Sequence, residues 1–270
     1  MIANIRVILA LLAISGITLV LLPVQYAALK LDWRLSRKIP VLWHSLTLNI
    51  IGIRKNVTGK LSTKRPLMIV SNHVSWMDIL ILGSLGELSF ISKHEVGELT
   101  GANILARMQR TIFVIRENKR DAGKQAKEIT DRMLSGDPVV LFAEGTTGDG
   151  HRVLEFKSSL FGATEYAIRS GMADKVFVQP VSIAYKALHG MPLGRVGRTQ
   201  VAWTGDTTLA PHMLSIFKNP AFDVDIKIGD PIEIDEGSRR REIATMARTR
   251  LRAMYNATNH ETGFHDTAAN

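Results

Sequence analysis

The segment Asn72-His73-Val74-Ser75-Trp76-Met77-Asp78 sets a histidine and an aspartate with four residues between them, directly after the apolar run Leu67-Met68-Ile69-Val70. Histidine is the side chain whose unperturbed pKa, about 6.5, lies near neutrality. A carboxylate on one ring nitrogen fixes the tautomer and stabilises the cation formed when the other nitrogen takes a proton. Launched from the end of a buried strand, such a pair is a compact acid/base device. The chain has no G-x-S-x-G elbow and no cysteine to serve as an enzyme nucleophile. The hydroxyl to be activated therefore belongs to the substrate. Asn72 can brace the turn through its amide. His44, His94, His151, His189, His212, His260 and His265 show no metal-ligand spacing.

Two further groups carry chemistry suited to an anion or a polar head group. Arg116 closes the apolar segment Thr111–Arg116, where an arginine can hold an anion by two parallel hydrogen bonds. Arg110, at the other end of that segment, either adds charge to the same pocket or faces solvent. Glu144-Gly145-Thr146-Thr147 follows the apolar run Pro138–Ala143. Glycine lets backbone amides approach a ligand, and the hydroxyls can hydrogen-bond it. A nucleotide-binding G-x-x-x-x-G-K-[ST] loop is excluded, because no such lysine follows.

Four blocks in order resemble the lysophospholipid acyltransferase family, whose best-known members are the bacterial 1-acyl-glycerol-3-phosphate acyltransferases. Asn72, His73 and Asp78 match N-H-x-x-x-x-D. Arg110-Thr111-Ile112-Phe113-Val114-Ile115-Arg116 matches G-x-x-F-I-x-R, with arginine for the glycine. Phe142-Ala143-Glu144-Gly145-Thr146-Thr147 matches F-P-E-G-T-R without its proline and arginine, and Val178-Gln179-Pro180-Val181-Ser182 matches a short apolar block around a proline. The resemblance runs roughly from Asn56 to Ile234. It implies that His73 is the base and Asp78 its partner, that Arg116 holds the acceptor phosphate, and that Glu144–Thr147 line the site. It implies an acyl group moved from acyl-ACP or acyl-CoA to the free hydroxyl of a lyso-lipid, with no metal or bound cofactor. Thr147 stands where the phosphate-binding arginine is missing. Bacterial members also acylate lyso-ornithine lipid, whose head group is an amino acid. The run Glu144–Phe161, with Gly148-Asp149-Gly150 and Arg152-Val153-Leu154, is similar to that branch. Lyso-ornithine lipid is thus the favoured acceptor, and 1-acyl-sn-glycerol 3-phosphate, giving phosphatidic acid, is the alternative.

Composition bounds the partners. The chain has 270 residues, 46% of them hydrophobic, which suffices for one catalytic core. The absence of cysteine excludes disulfides and fits a reducing compartment. A net charge of +9 points to an anionic partner, either nucleic acid or a membrane surface. No nucleic-acid motif is present and aromatic content is 6%, so a tethered nucleic-acid-binding protein is only the distant alternative. Val7–Leu29 carries no charge and is long enough to reach across a bilayer core. No small-residue cleavage site follows it, so it reads as a retained anchor. Arg6 precedes it, while Lys30, Arg34, Arg37 and Lys38 follow, which places the C-terminal part in the cytoplasm at the inner membrane. A second uncharged run, Ile39–Ile53, is short for a span and suits the interface. The resemblance implies that the two runs form a helical hairpin in one leaflet. A basic helix, Arg239–Tyr255, offers about 1 kcal/mol per basic residue of attraction to anionic lipid if it lies beside the anchor.

The elements that must hold these groups alternate. Strands are expected at Asn56–Lys60, Leu67–Ser71, Leu88–Ser92, Thr111–Arg116, Pro138–Ala143, Val176–Tyr185 (interrupted by Pro180) and Phe222–Ile228. Helices are expected at Ser75–Leu85, Ala102–Gln109, Asp121–Ser135, Ser158–Ser170 and Arg239–Tyr255. This order gives an α/β fold, a mixed sheet flanked by helices, with an N-terminal membrane-anchoring helical segment. The expected division is an anchor over 1–53, a catalytic domain over 54–256 and a polar tail over 257–270.

Overall fold

A computed structural model of the chain describes residues 1–94, 101–114, 121–204 and 207–260. It opens with two helices, α1 (Ile2–Lys30) and α2 (Leu35–Ile51). Gly52, at φ 84°, ends α2 in the left-handed conformation that glycine adopts without penalty. The chain then enters β1 (Ile53–Thr58) at once. Strand β1 starts three residues earlier than the expected Asn56, because this cap turns the end of the second apolar run into the first strand. The order continues β2 (Leu67–Ser71), α3 (Met77–Gly83), β3 (Ser89–Lys93), α4 (Ala102–Met108), β4 (Ile112–Val114), α5 (Ala122–Leu134) and β5 (Val139–Phe142). A 3-10 turn (Ser158–Phe161) leads into α6 (Gly162–Arg169). Then come β6 (Val176–Leu188), β7 (Met191–Pro192), α7 (Arg195–Val201), α8 (Leu209–Lys218), β8 (Phe222–Ile228), β9 (Ile232–Ile234) and α9 (Arg240–His260). Helix α9 passes through Asn256, beyond the expected start of the tail; residues 261–270 lie outside the described residues.

The strands form one mixed sheet in the order β1-β8-β6-β2-β5-β3-β4. From β6 to β4 all neighbours are parallel, whereas β8 runs antiparallel to β6 and carries β1 parallel beside it. Strand β6 is not interrupted at Pro180. One edge of β6 pairs with β9 up to Val178 and with β8 from Val181, so Pro180 sits at the changeover, where a proline removes no ladder bond. Its carbonyl still accepts from Gly229 N–H at 2.9 Å.

Alternation along β2 divides the core between the two sheet faces. Leu67 and Ile69 pack with Val7 of α1, Leu48 and Ile51 of α2, Met77 and Ile81 of α3 and Phe217 of α8. Met68 and Val70 face the other way, onto Met133 of α5, Ala163 of α6 and Leu251 of α9. The apolar hairpin and the basic helix therefore cover opposite faces of the sheet. This corrects the expectation that α9 assists the anchor: its exposed Arg241, Arg250 and Arg252 lie on the side away from α1.

The parallel strands share a C-terminal edge, which is where an open α/β sheet gathers a site. His73 follows β2 and Glu144 follows β5 at that edge, since Ser71 pairs with Phe142.

Candidate active site

Strand β2 ends at Ser71, and the next residue is locked to β6 by a reciprocal pair of hydrogen bonds. Asn72 Nδ2 donates to the Ile183 carbonyl and its Oδ1 accepts from Ile183 N–H, both at 2.9 Å. Asn72 is 2% exposed. It therefore braces the turn and is not presented to a substrate. Residues 73–76 then turn over the carboxylate of Asp78, which sits in the first turn of α3 and is fully buried. Asp78 Oδ2 accepts from Val74 N–H at 2.6 Å, Ser75 N–H at 2.8 Å and Nδ1 of His73 at 2.9 Å. Asp78 Oδ1 accepts from the Tyr185 hydroxyl at 2.7 Å. A carboxylate receiving two backbone donors and a phenol is an acceptor, so Nδ1 of His73 carries its proton toward Asp78 and Nε2 is left with its lone pair. The ring stacks on Phe142, centroids 3.9 Å apart at 15°, and the side chain keeps 15% exposure.

The loop after β5 grips the same residue by its backbone. Glu144 Oε2 accepts from His73 N–H at 3.0 Å and Oε1 accepts from Leu154 N–H at 2.9 Å. Gly148 N–H donates to the His73 carbonyl at 2.7 Å. Gly145 turns the chain out of β5 at φ 74°. Gly150, at φ 75°, comes so close that a Cβ there would lie 3.2 Å from Val74. Burial pushes the Glu144 carboxyl up to about 7, with the nearby Asp78 acting in the same direction, against the two backbone donors that favour its charged form.

The expected site residues thus separate into groups. His73, Asp78, Asn72, Glu144 and Gly145 converge at the strand edge. Glu144 holds the His73 backbone and is 3% exposed, so its carboxylate is a brace within the site. Thr146 is exposed, whereas the Thr147 hydroxyl donates to the Trp203 carbonyl, fastening the segment after α7 to the loop. Trp203 N–H in turn donates to the Val74 carbonyl at 2.8 Å. Arg110 is not brought here. Its guanidinium pairs with buried Asp137 at 2.6 Å, and Asp137 also pairs with Arg37 of α2 at 3.1 Å. Asp137 precedes β5, at the opposite edge of the sheet, so a strand length of roughly 15 Å separates Arg110 from the His73 turn. Arg116 lies outside the described residues. Tyr185 and Trp203 were not among the expected residues. Both reach the turn from distant parts of the sequence, and no local spacing signals them. Among the described residues, no group of three His, Asp or Glu side chains is gathered to hold a metal ion.

A buried aspartate polarising a partly exposed histidine at a strand edge, in a mixed sheet of this order, defines a class. The chain belongs to the acyltransferase family: the family's model, described as "Acyltransferase", matches residues 54–184. The chain is 42% identical over 254 residues to a lyso-ornithine lipid O-acyltransferase of Brucella abortus, covering 94% of this chain and 95% of that protein. It is 41% identical to the protein of the same name from Rhizobium meliloti, covering 94% and 87%. A 1-acyl-sn-glycerol-3-phosphate acyltransferase of Neisseria meningitidis is 30% identical over 35% of this chain and 37% of its own length. The fold matches a crystal structure of the 1-acyl-sn-glycerophosphate (LPA) acyltransferase of Thermotoga maritima. The TM-score is 0.64 and the identity 22%, covering 95% of this chain and 98% of that one.

Proposed function

We propose that this acyltransferase esterifies the free hydroxyl of lyso-ornithine lipid, taking the acyl group from the thioester of acyl-ACP or acyl-CoA and releasing the thiol. The observation that carries the mechanism is the contact of His73 Nδ1 with the buried Asp78 carboxylate at 2.9 Å. It leaves Nε2 as the base on a side chain that keeps 15% exposure. Nε2 takes the proton of the acceptor hydroxyl as its oxygen attacks the thioester carbonyl. The tetrahedral intermediate then collapses, the carbon–sulfur bond breaks, and the imidazolium returns the proton to the departing sulfur. General-base assistance of this kind is typically worth about 10² to 10⁴ in rate. A thioester is already activated, so neither step calls for a metal or a bound cofactor.

Two arginine positions bear on the acceptor. Position 147 carries a threonine whose hydroxyl is engaged by Trp203, and Arg110 is engaged by Asp137 at the far edge. Of the basic residues considered for a phosphate, that leaves Arg116, which suits a head group with less anionic charge. Relatives matched over nearly their whole length are named for lyso-ornithine lipid. The 1-acyl-sn-glycerol-3-phosphate enzymes match over about a third of theirs.

The site borders the sheet face that α1 and α2 cover. Phe142, on which the His73 ring stacks, belongs to the same core face as residues of α1 and α2. A lyso-lipid held in the cytoplasmic leaflet of the inner membrane thus approaches from the hairpin side, while the soluble donor comes from the cytoplasm. The deciding experiment is an acceptor panel with purified protein, following thiol release. Lyso-ornithine lipid is expected to be preferred over 1-acyl-sn-glycerol 3-phosphate, and Thr147→Arg to raise relative activity on the phosphate acceptor. A wild-type preference for the phosphate acceptor would overturn the acceptor and leave the transfer chemistry standing. Loss of acyl donor without any acceptor would indicate a hydrolase instead.

A further inference from the structure

Asp78 is held from two sides. Its Oδ2 serves the turn that carries His73, while Oδ1 points toward β6 and receives the Tyr185 hydroxyl at 2.7 Å. Tyr185 is 5% exposed and Asp78 fully buried, so no bulk solvent can replace either partner. Burial first, and then the charge of Asp78, push the phenol well above its usual range, which keeps it a donor at every working pH. The Ser75 hydroxyl lies beside the phenol, and the amides of Val74 and Ser75 face the carboxylate with His73. The remaining ionisable group of the turn is Glu144, with Arg248 of α9 acting on it from behind.

We propose that Tyr185 is a positioning residue of the transfer reaction, fixing the Asp78 carboxylate in the orientation that His73 Nδ1 requires and drawing off part of its negative charge. The proposal rests on the reading of His73 as the base. Removing the phenolic oxygen leaves a buried carboxylate oxygen without its donor, an arrangement that costs free energy unless the group rotates. Rotation would share Oδ1 with the Val74, Ser75 and His73 donors and misalign the imidazole. The carboxylate would also carry more charge, hold the imidazolium more tightly and return the base to its neutral form only at higher pH.

The test is Tyr185→Phe in the full-length protein, with thiol release assayed as a function of pH. We expect kcat to fall roughly tenfold, a fraction of what general-base catalysis supplies. KM for the lyso-lipid should stay within about twofold, as for an interaction made in the transition state. The acidic limb of the kcat/KM profile should move up by about half a pH unit. In an Asp78→Asn background Tyr185→Phe should cost nothing more, because both act through one carboxylate. The position of the limb does not depend on how much protein is folded, so it reads even if the variant is less stable. An unmoved limb, or a loss fully additive with Asp78→Asn, would overturn the proposal. Substantial transfer by His73→Ala is a separate outcome, and it would remove the base assignment itself.

Discussion

His73 is gripped at both its backbone N–H and its C=O, by Glu144 and Gly148, while its ring stays partly open. His73→Ala therefore removes the base and keeps the grips. It should fold normally and lose at least about 100-fold in turnover; a loss within tenfold would end the assignment. Glu144 carries a different load. With its folded pKa near 7, the folded state holds a proton that the unfolded chain has already released. Glu144 therefore makes wild-type stability fall as pH rises from the ordinary glutamate range to about 7. Glu144→Gln should abolish that component, so that melting temperature falls less between about pH 5 and about pH 7.5 than in wild type. The same variant should lose activity, because the amide oxygen can accept from only one of the His73 and Leu154 N–H groups and the NH2 meets the other donor-to-donor. An identical pH slope in both proteins would show that Glu144 does not titrate in this window. The His73–Asp78 pair was legible in the sequence because one tight turn makes it. The partners that finish it were not: Asn72 reads Ile183, Asp78 receives Tyr185, and Thr147 reaches Trp203. Each joins segments that only the closed sheet brings together.

Helix α2 is pinned at its start by an ion triad, in which buried Asp137 receives Arg37 at 3.1 Å and Arg110 at 2.6 Å. The triad ties the hairpin to the N-terminal edge of the sheet, away from the chemistry. Asp137→Ala would leave two partly exposed arginines facing each other, at a cost of roughly 1 to 3 kcal/mol, the range for losing charge-assisted hydrogen bonds. A fall in melting temperature is expected, with the acceptor preference unchanged. Arg110→Ala should behave likewise but more mildly, since Arg37 remains. A selective loss on 1-acyl-sn-glycerol 3-phosphate would return Arg110 to the acceptor pocket. From sequence alone the arginine beside an apolar strand could be assigned to neither edge, because its partner sits 27 residues further on, across the sheet. Element boundaries failed for similarly physical reasons. The glycine cap at Gly52 moved β1 forward, and the changeover between β9 and β8 let β6 run through Pro180. Helices α7 and α8, between Gly194 and Asn219, fall where no element is expected from the sequence. Glycine and proline punctuate that stretch, and its helices take shape against distant elements, α7 on β6 and α8 on α1.

At the scale of the whole molecule, apolar helices cover one face of the sheet and the basic α9 lies on the other. Helix α1 would extend about 43 Å at 1.5 Å per residue, longer than a hydrocarbon core of about 30 Å. It does not project from the domain. Near its start, Arg6 donates to the Ile51 carbonyl at 3.4 Å; near its end, Gln25 Nε2 donates to the Ser36 and Met108 carbonyls at 2.8 and 2.6 Å. The helix is thus tied to α2 near both ends and to α4 at Gln25, and it lies along them. The surface it turns outward is apolar: Leu12 is 64% exposed and Leu19 72%. These two residues, two helical turns apart, share a face and touch little of the core, so Leu12→Glu with Leu19→Glu should leave the fold intact. Two carboxylates on that face would oppose insertion by several kcal/mol in total, about 2.5 to 3.5 each at the centre of a span and less nearer the interface. The double variant should therefore move from the membrane pellet to the soluble fraction at unchanged melting temperature. Its transfer to lyso-lipid in vesicles should fall, while transfer to the same acceptor dispersed in detergent should persist. Full recovery on membranes would shift the anchoring to another surface. The basic face of α9 is the obvious rival, and its removal by Arg250→Glu with Arg252→Glu is expected to leave membrane recovery unchanged, because that helix covers the opposite side of the sheet.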